Sequence, residues 1–173
     1  MKIYEDAVSY VRKNPERFFR MGSPDAIELA THVLGDALIS GAKETCTLRL
    51  GDWWIVGGDV DWLTNHKQYT IHELFGRIVA LPEAGPNSMR AEILLTAFTE
   101  AVITVAGDDC LTIKGDVPKD AEIWHLMKSL TPLKRLVAFQ LNSHDALPLK
   151  HTGGRVKEGS KEQRLKSRNQ TFL

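Results

Sequence analysis

At 173 residues, with 43% hydrophobic residues, 25% charged residues and no net charge, the chain has the composition of one globular domain large enough to bury a proper core. That excludes a chain disordered throughout, and no apolar run approaches the roughly 20 residues that cross a bilayer. The opening MKIYEDAVSYVRK lacks the apolar centre of a signal peptide, so the expectation is a cytoplasmic protein without membrane contact.

In chain order, Tyr4, Ala7, Val8 and Val11 recur at helical spacing and stop before Asn14-Pro15, which predicts a helix over 4–13. The stretch Ser23 to Gly41 predicts the central helix. Ser23 is placed to cap it, Pro24 suits its first turn, and Ile27, Ala30, Leu34, Ala37 and Leu38 form an apolar face that ends at a left-handed Gly41. Thr45–Leu50 and Trp53–Val56 alternate about Gly51-Asp52, a hairpin. A helix follows from Ile71 to about Leu81, then the loop PEAGPNS, then a helix capped by Ser88 and running to about Glu100. Ala101–Ala106 and Cys110–Lys114 make a second hairpin about Gly107-Asp108-Asp109. Pro118 opens a helix carrying Ile123, Leu126 and Met127, and Leu133–Leu141 is the last strand. Cys46 and Cys110 sit in alternating runs and read as small core residues rather than a disulfide.

This order predicts an α+β domain over 1–149: a mostly antiparallel sheet with helices packed on one face. From Lys150 onward seven basic residues face two acidic ones, so the tail carries +5 and the body −5. With Gly153, Gly154, Gly159 and Ser160, residues 150–173 read as a flexible extension. Its charge leaves nucleic acid open as a partner.

Three features together resemble a known family. Val11-Arg12-Lys13-Asn14-Pro15, followed by Phe18-Phe19 and Met21-Gly22-Ser23, resembles the V-R-K-R-P-G-M-Y-I-G-S opening of the ATPase domain of the DNA gyrase B subunit. The central helix resembles the family's E-x-x-x-N-x-x-x-E-A-L-A-G, and Gly57–Leu63 stands where a strand pair ends in D-x-G-x-G. The chain is therefore read as a divergent member of the GHKL superfamily, which also holds histidine kinases, and the resemblance implies a Bergerat-type α/β sandwich over about residues 8–141.

The resemblance implies a site, position by position. Aligning Asp36-Ala37-Leu38 with E-A-L puts Glu28 at the glutamate that activates the attacking water and His32 at the asparagine that binds Mg²⁺. Without the extra residue before Gly41, Leu29 and Val33 take those places. Asp59 is the candidate acceptor for the adenine amino group, although another alignment puts Gly57 there. An imidazole serves hard Mg²⁺ badly, and Asn87-Ser88-Met89-Arg90-Ala91-Glu92 contains no glycine with which to cradle phosphates. The expectation is a non-catalytic GHKL-like module that has lost ATP hydrolysis, takes no cofactor or metal, and binds a protein partner or regulates one. A rewired ATPase with Glu28 as base, His32 on phosphate and Asp59 on adenine remains the enzymatic alternative, with ATP and Mg²⁺ as its cofactors.

Overall fold

The structure, a computed structural model, describes residues 6–65, 68–130 and 132–142; the expected tail lies outside them. Five helices, α1 (Ala7–Arg12), α2 (Ala26–Ile39), α3 (Ile71–Gly76), α4 (Glu92–Phe98) and α5 (Glu122–Ser129), accompany five strands, β1 (Thr45–Leu50), β2 (Trp53–Gly58), β3 (Thr99–Ala106), β4 (Asp109–Lys114) and β5 (Arg135–Leu141). The strands form one sheet in the order β1-β2-β5-β3-β4, with every neighbouring pair antiparallel. The chain is thus an α+β fold built from two hairpins with the last strand set between them.

The helices do not all lie on one face, as the sequence suggested. Val56, Val102, Val137 and Phe139 face the buried sides of α1, α2, α3 and α4. Their neighbours Ile55, Ile103, Leu136 and Ala138 point the other way and meet Ile123, Trp124 and Met127 of α5. Strand side chains alternate, so the unbroken apolar run Leu136–Phe139 needs cover on both sides, and α5 supplies the second. Trp124 is fixed there by its Nε1–H, which donates to the Pro118 carbonyl at 3.0 Å.

Local chemistry sets the helix ends. Asp25, not Ser23, caps α2: its extended backbone lets Oδ1 accept from the N–H groups of Ile27 and Glu28, each at 2.9 Å. Gly41 leaves the helix at φ 99°, as expected. α3 carries a capping box, Thr70 with Glu73, yet stops at Gly76 because residues 79–81 pair with 88–90: the Arg90 N–H donates to Val79 and the Leu81 N–H to Ser88. Helix α4 consequently starts at Glu92 rather than at Ser88.

The far end of α4 is held by two cations. Arg12 donates to the Ala97 carbonyl at 3.0 Å, and Lys114 Nζ donates to the carbonyls of Thr96 and Thr99. Positive charge is favourable where a helix exposes its carbonyls. Burial first and the nearby Arg12 second lower the Lys114 pKa. The opening segment is tied to the same helix by Phe19, whose ring meets Phe98 edge-on at 5.0 Å. Of the two cysteines, Cys46 is half-buried, with its thiol pKa raised by burial, whereas Cys110 is exposed on the edge strand β4 and is not a core residue.

Candidate functional site

The space that the resemblance assigns to a nucleotide lies between α2, the end of β2 and the segment leading into α4. The buried side of α2 is formed by Leu29, Ala30, Val33 and Ala37, with Asp36 on the same stripe. A carboxylate on a buried stripe needs partners, and Asp36 finds them in α4. Its Oδ2 accepts the Ala91 N–H at 2.7 Å, so it serves as the N-terminal cap of a helix 55 residues away in sequence. The Ala91 residue itself offers α4 no side-chain cap.

Beside it lies a closed ion pair. Arg90 grips Glu92 with both arms, Nε to Oε2 at 3.0 Å and Nη2 to Oε1 at 2.5 Å, and Nη2 also donates to the Trp62 carbonyl at 3.1 Å. Arg90 and Glu92 are 1% and 0% exposed. Bidentate pairing of this kind is the strong form of a carboxylate contact. The arrangement holds two carboxyl groups against one guanidinium. Burial, and after it the Glu92 charge, push the Asp36 carboxyl up to about 7, against the opposing pull of the Ala91 N–H and Arg90. A neutral Asp36 also provides the proton for a hydrogen bond to Glu92.

Trp62 completes the filling. It is fully buried, and a Cβ built on Gly58 would stand 3.4 Å from its Cζ3 and 3.5 and 3.6 Å from the Cβ atoms of Ala42 and Ala37. Gly58, Ala37 and Ala42 thus line the place where the indole lies over the strand end, at ordinary contact distance. Behind it, Asp61 is locked to Arg135 of β5 by two bonds of 2.8 and 2.7 Å, and Arg135 Nη1 also meets Thr104 Oγ1. Burial works against the ionised Asp61, but the Arg135 contacts outweigh it and lower its pKa. Among the described residues Arg90 Nη1 and Trp62 Nε1 have no protein acceptor.

The residues singled out from the sequence do not converge. Glu28 Oε2 accepts the Arg20 N–H at 2.9 Å, closing the opening segment onto the first turn of α2. The exposed His32 ring has Nε2 3.2 Å from the Phe18 carbonyl oxygen. Asp59 accepts the Lys43 N–H at 2.9 Å, which ties the link after α2 to the end of β2; desolvation opposes ionisation there, but this and neighbouring backbone N–H groups lower its pKa. About 16 Å of helix separates Glu28 from Ile39, and Asp59 is at that far end, next to Gly58, which lies beside Ala37 and Ala42. Each of the three has taken up a backbone contact. Among the described residues no three His, Cys, Asp or Glu side chains form a set that could hold a metal ion, and no helix is long and apolar enough to cross a membrane.

Sequence reasoning missed Asp36, Arg90 and Trp62 as a unit. The signal was present in part, since Leu29, Val33 and Asp36 share the spacing of one helix face and Arg90 stands two residues from Glu92. No protein-family model, no curated protein and no solved structure matches this chain.

Proposed function

We propose that this chain is a GHKL-like module of the Bergerat type that has lost ATP hydrolysis and acts by binding a protein partner, or as that partner's regulator. The observation that carries the reading is the filling of the space between α2 and the end of β2 by Trp62, Arg90 and Glu92. The segment that ought to bend around phosphates turns inward instead, and puts its guanidinium on its own carboxylate. Glu28 and His32 rest against Arg20 and Phe18, which does not fit a base and a magnesium ligand working on one nucleotide.

Magnitudes support the same reading. A charge-assisted contact contributes roughly 1.5–3 kcal/mol, and a micromolar site needs about 8 kcal/mol. Without a glycine cradle, and with Arg90 committed to Glu92, several such contacts are missing. Such a fold would work through its surface, by recognition rather than turnover.

Isothermal titration of the full chain with Mg²⁺ and a non-hydrolysable ATP analogue tests this. The expected outcome is no saturable heat below millimolar nucleotide. Submillimolar affinity that disappears in Glu28→Ala overturns the proposal. Steady phosphate release abolished in Glu28→Gln would install the rewired ATPase in its place.

A further inference from the structure

Two carboxyl groups closed off from water meet where α4 begins. Asp36 is 4% exposed and Glu92 0%. The charged groups that face Asp36 are Glu92 itself and Arg90, from α4 and the residue pair leading into it. The strands packed on α2 bring no other: β2 contains no charged residue, and the one in β1, Arg49, is exposed and donates to the Gly51 carbonyl. Lys43 and Glu44 are exposed in the link between α2 and β1. Along α2, Glu28 accepts the Arg20 N–H and the exposed His32 ring stands by the Phe18 carbonyl; in the link after β2, Asp61 is held by Arg135. Ionised together, Asp36 and Glu92 would set two negative charges against one guanidinium without water to screen them. A carboxyl pair so placed keeps a proton that either group would give up in solution.

The two sides of this contact are unequally anchored. Asp36 stands on a 14-residue helix whose Leu29, Ala30, Val33 and Ala37 are buried with it. Glu92 opens a helix that has no side-chain cap from its own Ala91. The chain before it is lightly tied, with the Arg90 N–H on the Val79 carbonyl at 2.8 Å and the Leu81 N–H on the Ser88 carbonyl at 2.9 Å. From Arg77 to Met89 only Val79 and Leu81 are buried, and between them and α4 the chain turns at Gly85 and Asn87 with φ of 119° and 67°. The Arg90 side chain joins this segment to the Trp62 carbonyl.

We infer that Asp36, Glu92 and Arg90 form a proton-operated latch: with a proton on the carboxyl pair the segment 79–91 is fastened against α2 and Trp62, and without it the segment lifts. Hydrating a second carboxylate requires one side of the contact to move, and the segment is the side with less to lose. The closed form holds a proton that the open form releases, so the latch is firm in acid and is released as pH rises through about 7. Lifting frees the Trp62 carbonyl and opens the first turn of α4 to water.

Residue-resolved amide exchange of the full chain without nucleotide, from pH 5 to 8 and corrected for the intrinsic rate, reads the latch whatever the chain binds. Protection of the Leu81, Arg90 and Ala91 amides should fall at least about tenfold over that range. Low urea should scarcely alter it, as for a local opening that exposes little surface. In Asp36→Asn the fall should shrink to under about threefold; in His32→Ala it should persist, although histidine also titrates in this range. Level protection of the three amides would overturn the inference. So would a fall with the same urea dependence as the amides of β3 and β5, since Asp36 would then lose its proton only on global unfolding, and this comparison needs no variant to fold. A fall that survives in Asp36→Asn, or vanishes in His32→Ala, would overturn it as well.

Discussion

Replacing Asp36 by asparagine tests the buried cluster most directly. In the folded chain the Asp36 carboxyl titrates at about 7, whereas an ordinary aspartate does so near 3.8. Between those values the folded state binds a proton that the unfolded state has released, so unfolding free energy falls as pH rises through the window. The contribution is complete below the unfolded value and gone above the folded one. The largest slope is about 1.36 kcal/mol per pH unit, and the ceiling over the window is roughly 4 kcal/mol. Asparagine keeps the oxygen that accepts the Ala91 N–H and offers Glu92 an N–H where the neutral acid offers its O–H, but has no proton to lose.

Urea unfolding of both proteins, extrapolated to water, should therefore diverge. Near pH 4 the two should agree within about 1 kcal/mol, and between pH 5 and pH 8 the Asp36→Asn variant should gain roughly 2–3 kcal/mol on the wild type. Carboxylates with lowered pKa, such as Asp61, lose their contribution only as pH falls below this window, and they cancel in the comparison. Parallel curves from pH 5 to 8 would refute the reasoning, because Asp36 would then be titrating as an exposed side chain does.

Arg90→Met removes the guanidinium that grips buried Glu92 and should cost about 3–5 kcal/mol at neutral pH, read as a fall in urea midpoint; a loss under 1 kcal/mol would mean that the pair is solvated. Trp62→Ala empties the volume over Gly58 and should cost about 3–5 kcal/mol by the same assay. Lys114→Met removes a cation from the end of α4 and should destabilise by about 1–2 kcal/mol, with amide exchange accelerating first in Thr96–Phe98. His32→Ala, at an exposed site, should stay within about 0.5 kcal/mol of the wild type.

Both hairpins were legible, because alternation and the turns at Gly51 and Gly107 are local signals, and the positive φ of both glycines agrees with them. The faces of α2 were harder. Ile27, Leu29, Ala30, Val33, Leu34, Ala37, Leu38 and Ile39 surround the helix almost completely, so periodicity alone does not choose the buried side. Asp36 can lie on the buried side because the Ala91 N–H meets it there from more than 50 residues along the chain. The same distance hides the start of α4, whose cap comes from another helix while Ser88 is drawn into a short pairing with Leu81. The second layer under the sheet was signalled by the unbroken Leu136–Phe139 run, which only a strand covered on both sides needs. Glu28, His32 and Asp59 were placed by aligning the chain with the motifs of the family it resembles. A motif alignment does not say that a neighbouring backbone N–H or carbonyl would claim each of them first.

The place of β5 between the two hairpins has a consequence for how the chain is made. During synthesis β1–β2 and β3–β4 emerge well before residues 135–141, and each then presents a bare rim of unsatisfied amides and carbonyls where β5 will later sit. Helix contacts such as Asp36 on the Ala91 N–H can join the two halves before then, but the sheet itself stays divided until β5 is inserted between β2 and β3. A nascent chain stalled before Arg135 would hold two sticky edges and no centre.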